Sequence, residues 1–236
     1  MTNLSTIREN LQQVRQKIEL AARRASRKPE EILLIGVSKT HPADTIREAY
    51  DAGLRHFGEN RVQEWEGKLG ALADLSARGH LIGHLQSNKA ARAAKVFHSV
   101  DSVDDWSLAQ RLDRAQAEKN SGEKLRVLIE VHMGGEETKS GVSEADLPEL
   151  AERVMTLPHL EFAGLMCIPP FRENPEEARP FFETLRKLKD QLESRIGRPL
   201  PTLSMGMSHD FEPAILEGST EVRIGTAIFG IRTKNP

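Results

Sequence analysis

Apolar residues along this chain follow two alternating rhythms. One is a short run rich in Ile, Val and Leu, bounded by turn residues, which reads as a buried strand. The other spaces its apolar residues by three and four, which reads as one face of a helix. An opening helix is predicted over 4–26, where Ile7, Leu11, Val14, Ile18 and Ala21 recur at helical steps with charge between them. Strand-like runs follow at Ile32–Ser38, Arg55–Gly58, His80–His84 and Val96–Val100. Four more lie at Leu125–Val131, Leu160–Ile168, Thr202–Met207 and Glu221–Ile224. Helix-like stretches fill the gaps, among them Asp44–Gly53 behind Pro42, Asp104–Lys119, Glu144–Met155 behind a Ser143 cap, and Ala178–Ile196. Gly53, Gly79 and Gly197 stand where helix stops are expected.

Strict alternation of this kind implies a parallel sheet with crossover helices. From residue 32 onward the repeat averages roughly 26 residues, close to the ~30 per unit of a (β/α)8 barrel. An open doubly wound sheet announces itself with a glycine-rich turn after its first strand. Here that turn is Ser38-Lys39-Thr40-His41-Pro42, without glycine. The expected fold is therefore an α/β protein, a single (β/α)8 TIM barrel with an extra N-terminal helix. No Pro/Gly/Ser-rich linker divides it, so 1–236 is expected to form one domain.

Composition narrows the function classes. The 236 residues are 38% hydrophobic and 29% charged, with 33 basic residues against 35 acidic and a net charge of −2. No strong field favours nucleic acid or an anionic membrane. Eight Phe, two Trp and one Tyr offer few stacking platforms for single strands. No apolar stretch approaches the ~18 residues of a membrane span, and Met1-Thr2-Asn3-Leu4-Ser5 does not open like a secretory signal. The lone Cys167 allows neither an internal disulfide nor a cysteine-based metal site. A cytoplasmic protein without nucleic-acid, membrane or metal partners is expected.

The candidate chemistry starts at Lys39, which ends the first core strand. In α/β folds that end of the sheet is where ligands bind. Apolar walls around an amine favour its neutral, nucleophilic form, although a lysine snorkelling at a strand end explains the position as well. Two later segments are suited to an anion. Ser204-Met205-Gly206-Met207-Ser208 ends the seventh strand, and Arg223-Ile224-Gly225-Thr226 ends the eighth. Barrels commonly bind phosphate with the loops after these two strands, and glycine lets the backbone approach the anion closely. Lysine and phosphate groups thus bracket one mouth. A small aldehyde carrying a phosphate fits between them, and pyridoxal 5′-phosphate (PLP) is the natural candidate.

These segments, with Phe57-Gly58-Glu59-Asn60-Arg61-Val62-Gln63-Glu64 and His80-Leu81-Ile82-Gly83-His84-Leu85-Gln86-Ser87-Asn88-Lys89, resemble the motifs of the pyridoxal phosphate homeostasis protein family, in order and over almost the whole chain. That family is similar to the barrel domain of alanine racemase and lacks the enzyme's second domain. The resemblance implies a PLP-binding protein that stores, buffers or delivers the cofactor, with effects on amino-acid and keto-acid balance. It implies PLP and PLP-dependent apo-enzymes as partners, and a monomer or weak homodimer. By the same resemblance Lys39 carries PLP as a Schiff base. Ser204, Met205, Gly206, Gly225 and Thr226 hold the phosphate, Arg223 faces the pyridine nitrogen, and Asn60 and His84 line the ring pocket. Asn60 also fits a simple turn-former, His84 a core histidine, Cys167 a packed small hydrophobe, and Asp210 a helix cap or supporting acceptor. The chain departs from the family pattern at His132, where asparagine is usual, and at Cys167-Ile168-Pro169-Pro170; Lys139-Ser140-Gly141 follows it.

A PLP-dependent amino-acid racemase is the main alternative, and an aldolase acting on a sugar phosphate through Lys39 is another. The similar racemase needs a tyrosine opposite the lysine, supplied by its second domain. The sole tyrosine here, Tyr50, is expected in the helix after strand one, on the barrel exterior.

Overall fold

The computed structural model describes residues 6–119, 121–134 and 140–230. The first two residues of the predicted opening helix, and Gly135, Glu136 and Lys139 of the fifth-strand motif, lie outside them. Eight parallel strands close into a barrel, each paired with its neighbours in chain order: β1 (Leu33–Val37), β2 (His56–Glu59), β3 (Arg78–Leu81), β4 (Ser99–Val103), β5 (Leu125–Glu130), β6 (Leu160–Met166), β7 (Thr202–Met207) and β8 (Glu221–Ile224). The helices among the described residues are α1 (Ile7–Arg24), α2 (Ala43–Asp51), α3 (Val62–Leu69), α4 (Ala90–Val96), α5 (Trp106–Glu118), α6 (Leu147–Met155), α7 (Arg179–Ile196), α8 (Phe211–Leu216) and α9 (Thr226–Phe229).

The opening helix forms because Thr6 caps it. The Thr6 hydroxyl accepts from the Glu9 N–H (3.2 Å) and the Glu9 carboxylate accepts from the Thr6 N–H (2.8 Å). Its apolar stripe, Leu11, Val14, Ile18, Ala21 and Ala22, is buried. It packs against α2, α8 and α9, and so covers the strands where the barrel closes. Arg27, just beyond it, donates to the Ser219 carbonyl at 2.7 Å.

Side chains alternate across each strand. On β5, Leu125, Val127 and Ile129 face the helices and belong to the main apolar core. Arg126, Leu128 and Glu130 face the barrel interior. The interior is layered: Leu128, Ala163 and Met166 form a small apolar cluster of their own, and beneath it lies a polar plug. There Arg126 donates to Ser99 (3.0 Å), Thr202 (2.8 Å) and Glu221 (2.5 Å), while His56 and His80 meet at 2.8 Å. His80 also faces Asp101 at 3.5 Å.

This plug explains one shifted boundary. The fourth strand is Ser99–Val103 rather than Val96–Val100, because Ser99 and Asp101 look polar in sequence yet are fully buried against Arg126 and His80. Val96 instead ends α4. The third strand is Arg78–Leu81 rather than His80–His84, and Gly79 is inside it, not at a helix stop. A Cβ there would lie 2.4 Å from the Trp65 indole, whose N–H donates to the Val96 carbonyl at 3.0 Å. The sixth helix starts at Leu147, later than expected, because the Ser143 hydroxyl accepts from the Asp146 N–H (3.1 Å) and closes a turn ahead of it. Gly53 and Gly197 follow α2 and α7 with φ of 93° and 70°, as helix stops should.

Gly79→Ala should destabilise the protein by about 1–3 kcal/mol through overpacking against Trp65. Gly67→Ala, inside α3 with nothing within 4 Å of the new Cβ, should stabilise it by up to ~1 kcal/mol. Urea midpoints of the two variants test the contrast.

Burial, with the neighbouring His80, Arg78, His98 and Arg126, pushes His56 down to about 3. The unfolded chain binds that proton near pH 6.5 and the native state only near 3. Stability is therefore full above about pH 6.5 and declines as pH falls toward 3. His56→Gln should lose less stability than the parent between about pH 7.5 and pH 5 in urea titrations; an equal loss would remove His56 from the account.

Candidate functional site

All strand C-termini open on one end of the barrel, and the chemistry-bearing residues gather there. A cavity of about 220 Å³ is lined by Val37, Lys39, His41, Met207, Ser208, His209, Arg223, Gly225, Thr226 and Gly230. Its walls are the end of β1, the β7–α8 turn, and β8 with the start of α9. Lys39 is half-buried and directly follows Ser38, which is fully buried.

Arg223 is 2% exposed. Its guanidinium donates to the Ser204 hydroxyl and to the Cys167 carbonyl, both at 2.7 Å, so the group is held from β7 and from the end of β6. Burial of a charge is tolerated only with such partners. Burial holds the Glu130 and Asp210 carboxyls above their ordinary range, and the Arg223 charge partly opposes that rise. Glu130 accepts from the Ser140 hydroxyl at 3.0 Å.

The hydroxyl of Ser208 accepts from the Gly225 N–H at 3.1 Å and, at the hydrogen-bond limit, from the Ala227 N–H at 3.4 Å. With its lone pairs engaged, the Ser208 O–H proton is available to an acceptor in the cavity. The turn before it is tight. Gly206 has φ of 93°, and a Cβ there would lie 2.6 Å from that of Ala214, so only glycine lets α8 close on β7. Asp210 accepts from the Met207 N–H at 2.6 Å and fixes this turn; it is a supporting acceptor, with no side-chain cap to α8.

The structure therefore brings Lys39, Arg223, Gly225 and Thr226 to one cavity and leaves the other expected residues outside it. Ser204 and Met205 are fully buried within β7, the first beneath Arg223 and the second in the outer core. Asn60 and His84 line a separate cleft of about 660 Å³ at the ends of β2 and β3, with Arg61, Gln63, Gln86 and Lys89. There the His84 ring is exposed and sits 3.2 Å from Asp104, so it is not a core histidine. Ser208, His41 and His209 are wall residues that the sequence reading did not assign. The signal for Ser208 was present, since Gly-Met-Ser closes the quoted seventh-strand motif; nothing local marks the two histidines. Among the described residues no group of three or more His, Cys, Asp or Glu side chains could hold a metal.

The profile of the alanine racemase N-terminal domain matches residues 2–233. A pyridoxal phosphate homeostasis protein of Aquifex aeolicus is 47% identical over 224 residues, 95% of this chain and 97% of that one. The chain belongs to the pyridoxal phosphate homeostasis protein family. Its Pseudomonas aeruginosa relative of the same name is likewise 47% identical, over 97% of each chain. PipY of Synechococcus elongatus, solved with PLP bound, superimposes with a TM-score of 0.80 at 41% identity, covering 91% of this chain and all of that one. Family membership and barrel agree with the expectation from the motifs.

Cys167 is fully buried, and burial pushes its thiol up to about 12. It should resist alkylation at about pH 8 in the native protein and react once urea unfolds the chain. Fast native labelling, read by mass spectrometry, would contradict its place in the core.

Proposed function

We propose that residues 1–236 act as one PLP-binding barrel that serves intracellular PLP homeostasis by storing, buffering or delivering the cofactor. The observation that carries this reading is the shared cavity: a lysine, an always-charged guanidinium and hydroxyl and glycine groups of two adjacent loops line the same small space. That donor set fits the cofactor's groups. Bound there, PLP supplies an aldehyde that condenses with a primary amine. Lys39 is that amine. Ser208 and Thr226 offer hydroxyls to the phosphate, and Gly225 lets the backbone approach it. Ser204, expected among the phosphate ligands, acts from below by holding Arg223.

Arg223 supports storage over turnover. A guanidinium only donates, so a ring nitrogen facing it accepts and stays unprotonated, which weakens the ring as an electron sink. Tyr50 adds to this. It lies in α2, where the Arg55 guanidinium stacks on its ring at 3.9 Å and its hydroxyl accepts from the Ser76 N–H at 3.2 Å. It is committed on the barrel exterior and unavailable as the opposite-face base of a racemase. PLP-dependent apo-enzymes are the recipients in this reading, and the protein acts as a monomer or weak homodimer in the cytoplasm. Consistent with that, no helix among the described residues is long and apolar enough to cross a membrane.

Protein mixed with PLP should show a visible band that borohydride shifts, with the label on Lys39 in peptide maps and none in Lys39→Ala. Charge-assisted bonds to a phosphate contribute roughly 1.5–3 kcal/mol each, so Ser208→Ala or Thr226→Ala should weaken PLP binding about tenfold or more. Pyridoxal, lacking the phosphate, should bind poorly. Label on another lysine, or equal affinity for PLP and pyridoxal, would overturn the assignment. Amino-acid racemisation above ~1 s⁻¹ that disappears in Lys39→Ala would overturn the storage reading.

A further inference from the structure

The turn that presents Lys39 is held from one side by a single helix. Thr40 has φ of 68°, a left-handed conformation that a β-branched residue disfavours by about tenfold or more in population. Its N–H donates to the Glu64 carboxylate at 3.2 Å. On the other side of Lys39, the Ser38 carbonyl accepts from the Lys68 ammonium at 3.1 Å. Glu64 and Lys68 are four residues apart on α3, so they share a face. Lys68 is anchored in turn: it donates to Glu59 at 2.6 Å, and Glu59 accepts from the Ser38 hydroxyl at 2.7 Å. Glu59 and Ser38 are fully buried. The two peptide groups that flank Lys39 are thus clamped by one face of α3, and a fully buried carboxylate locks one half of the clamp.

We propose that Glu64 and Lys68 are positioning residues for Lys39, holding the strained Ser38-Lys39-Thr40 turn so that the amine is presented to the cofactor aldehyde. This rests on the PLP reading above. It assigns a role to α3, which contributes nothing to the Lys39 cavity wall. The Glu64 half is the sensitive one, because it binds the strained residue itself and adds to the His41 N–H donation to the Ser38 carbonyl (3.1 Å) that closes the turn. Without the Glu64 bond only the turn's own His41–Ser38 closure opposes the preference of Thr40 for ordinary φ, and a shift at Thr40 carries Lys39 with it. Glycine at position 40 would adopt the same φ without strain, so it should restore the presentation that loss of Glu64 removes.

The test uses full-length protein with two ligands. PLP reports the adduct on Lys39, quantified after borohydride. 4′-Deoxypyridoxine 5′-phosphate, which has no aldehyde, reports the pocket without the lysine. Glu64→Ala should lower the PLP adduct constant about tenfold and leave affinity for the aldehyde-free analogue within about twofold. Thr40→Gly in the Glu64→Ala background should recover most of the loss. Amide hydrogen exchange of the ligand-free protein over residues 37–42 should quicken in Glu64→Ala, and thermal melting confirms that the rest stays folded. Lys68→Met paired with Glu59→Gln, which leaves no unpaired buried charge, tests the second half and should also lower the adduct constant more than analogue affinity. An unchanged adduct constant in Glu64→Ala, equal losses for both ligands, or no rescue by glycine would overturn the proposal. A parent protein that binds the analogue yet carries no label on Lys39 would overturn the PLP–lysine reading first, and this proposal with it.

Discussion

A guanidinium does not shed its proton in a protein, so burying Arg223 obliges the surrounding chain to satisfy it. The partners come from three consecutive strands: Arg223 itself from β8, the Ser204 hydroxyl from β7 and the Cys167 carbonyl just past β6. These bonds require β6, β7 and β8 to stand in one register, and they point a permanent positive charge into the barrel mouth. Removing either partner would leave a buried charge undersatisfied. The arrangement that closes this arc of the barrel is therefore the same one that sets the electrostatics of the candidate site.

The barrel has opposite characters at its two ends. At the bottom, Arg126 spans the interior to Ser99, Thr202 and Glu221, with His56, His80 and Asp101 beside it. Every strand that contributes there gives up an apolar position to the network. At the mouth the interior positions Ser204, Glu130 and Arg223 are polar too, but a cavity remains beside Arg223. The small apolar layer of Leu128, Ala163 and Met166 separates the two. The bottom is filled with polar groups that bond one another through Arg126 and the His56–His80 pair, whereas the mouth keeps hydroxyls and an amine around a space. That difference, rather than the fold, is what marks one end as the candidate site.

The helices outside do more than cover the strands. The helix α3 packs Trp65 against Gly79, leaving no room for a side chain in β3. The same helix sends Glu64 and Lys68 back to the turn around Lys39. Packing of the shell and geometry of the mouth are therefore coupled through one short element. Family motifs mark Glu59, Asn60 and Glu64 together, and the structure divides that run between a buried lock, a cleft wall and a backbone contact.

Much of this was legible in the residue order. Alternating strand and helix patterns, the absence of a glycine-rich first turn and the lysine at the end of β1 carry the barrel and its mouth, because periodicity and strand-end position are local properties. The bounds of β7 and β8 are those expected, both being runs that alternate apolar with polar or small residues between clear turn signals. The sequence by itself also specified the family, through motifs spread along the chain. What only the tertiary structure decided is which of the marked residues share a space. β4 was misplaced because Ser99 and Asp101 are polar yet buried, and burial of a polar group depends on a partner tens of residues away. Gly79 looked like a helix stop because the indole that excludes a side chain there belongs to another element. Ser204 and Ser208 are indistinguishable as hydroxyls near a glycine. Strand pleat and the Gly206 turn send the first beneath Arg223 and the second to the cavity, and those directions exist only once the barrel has closed.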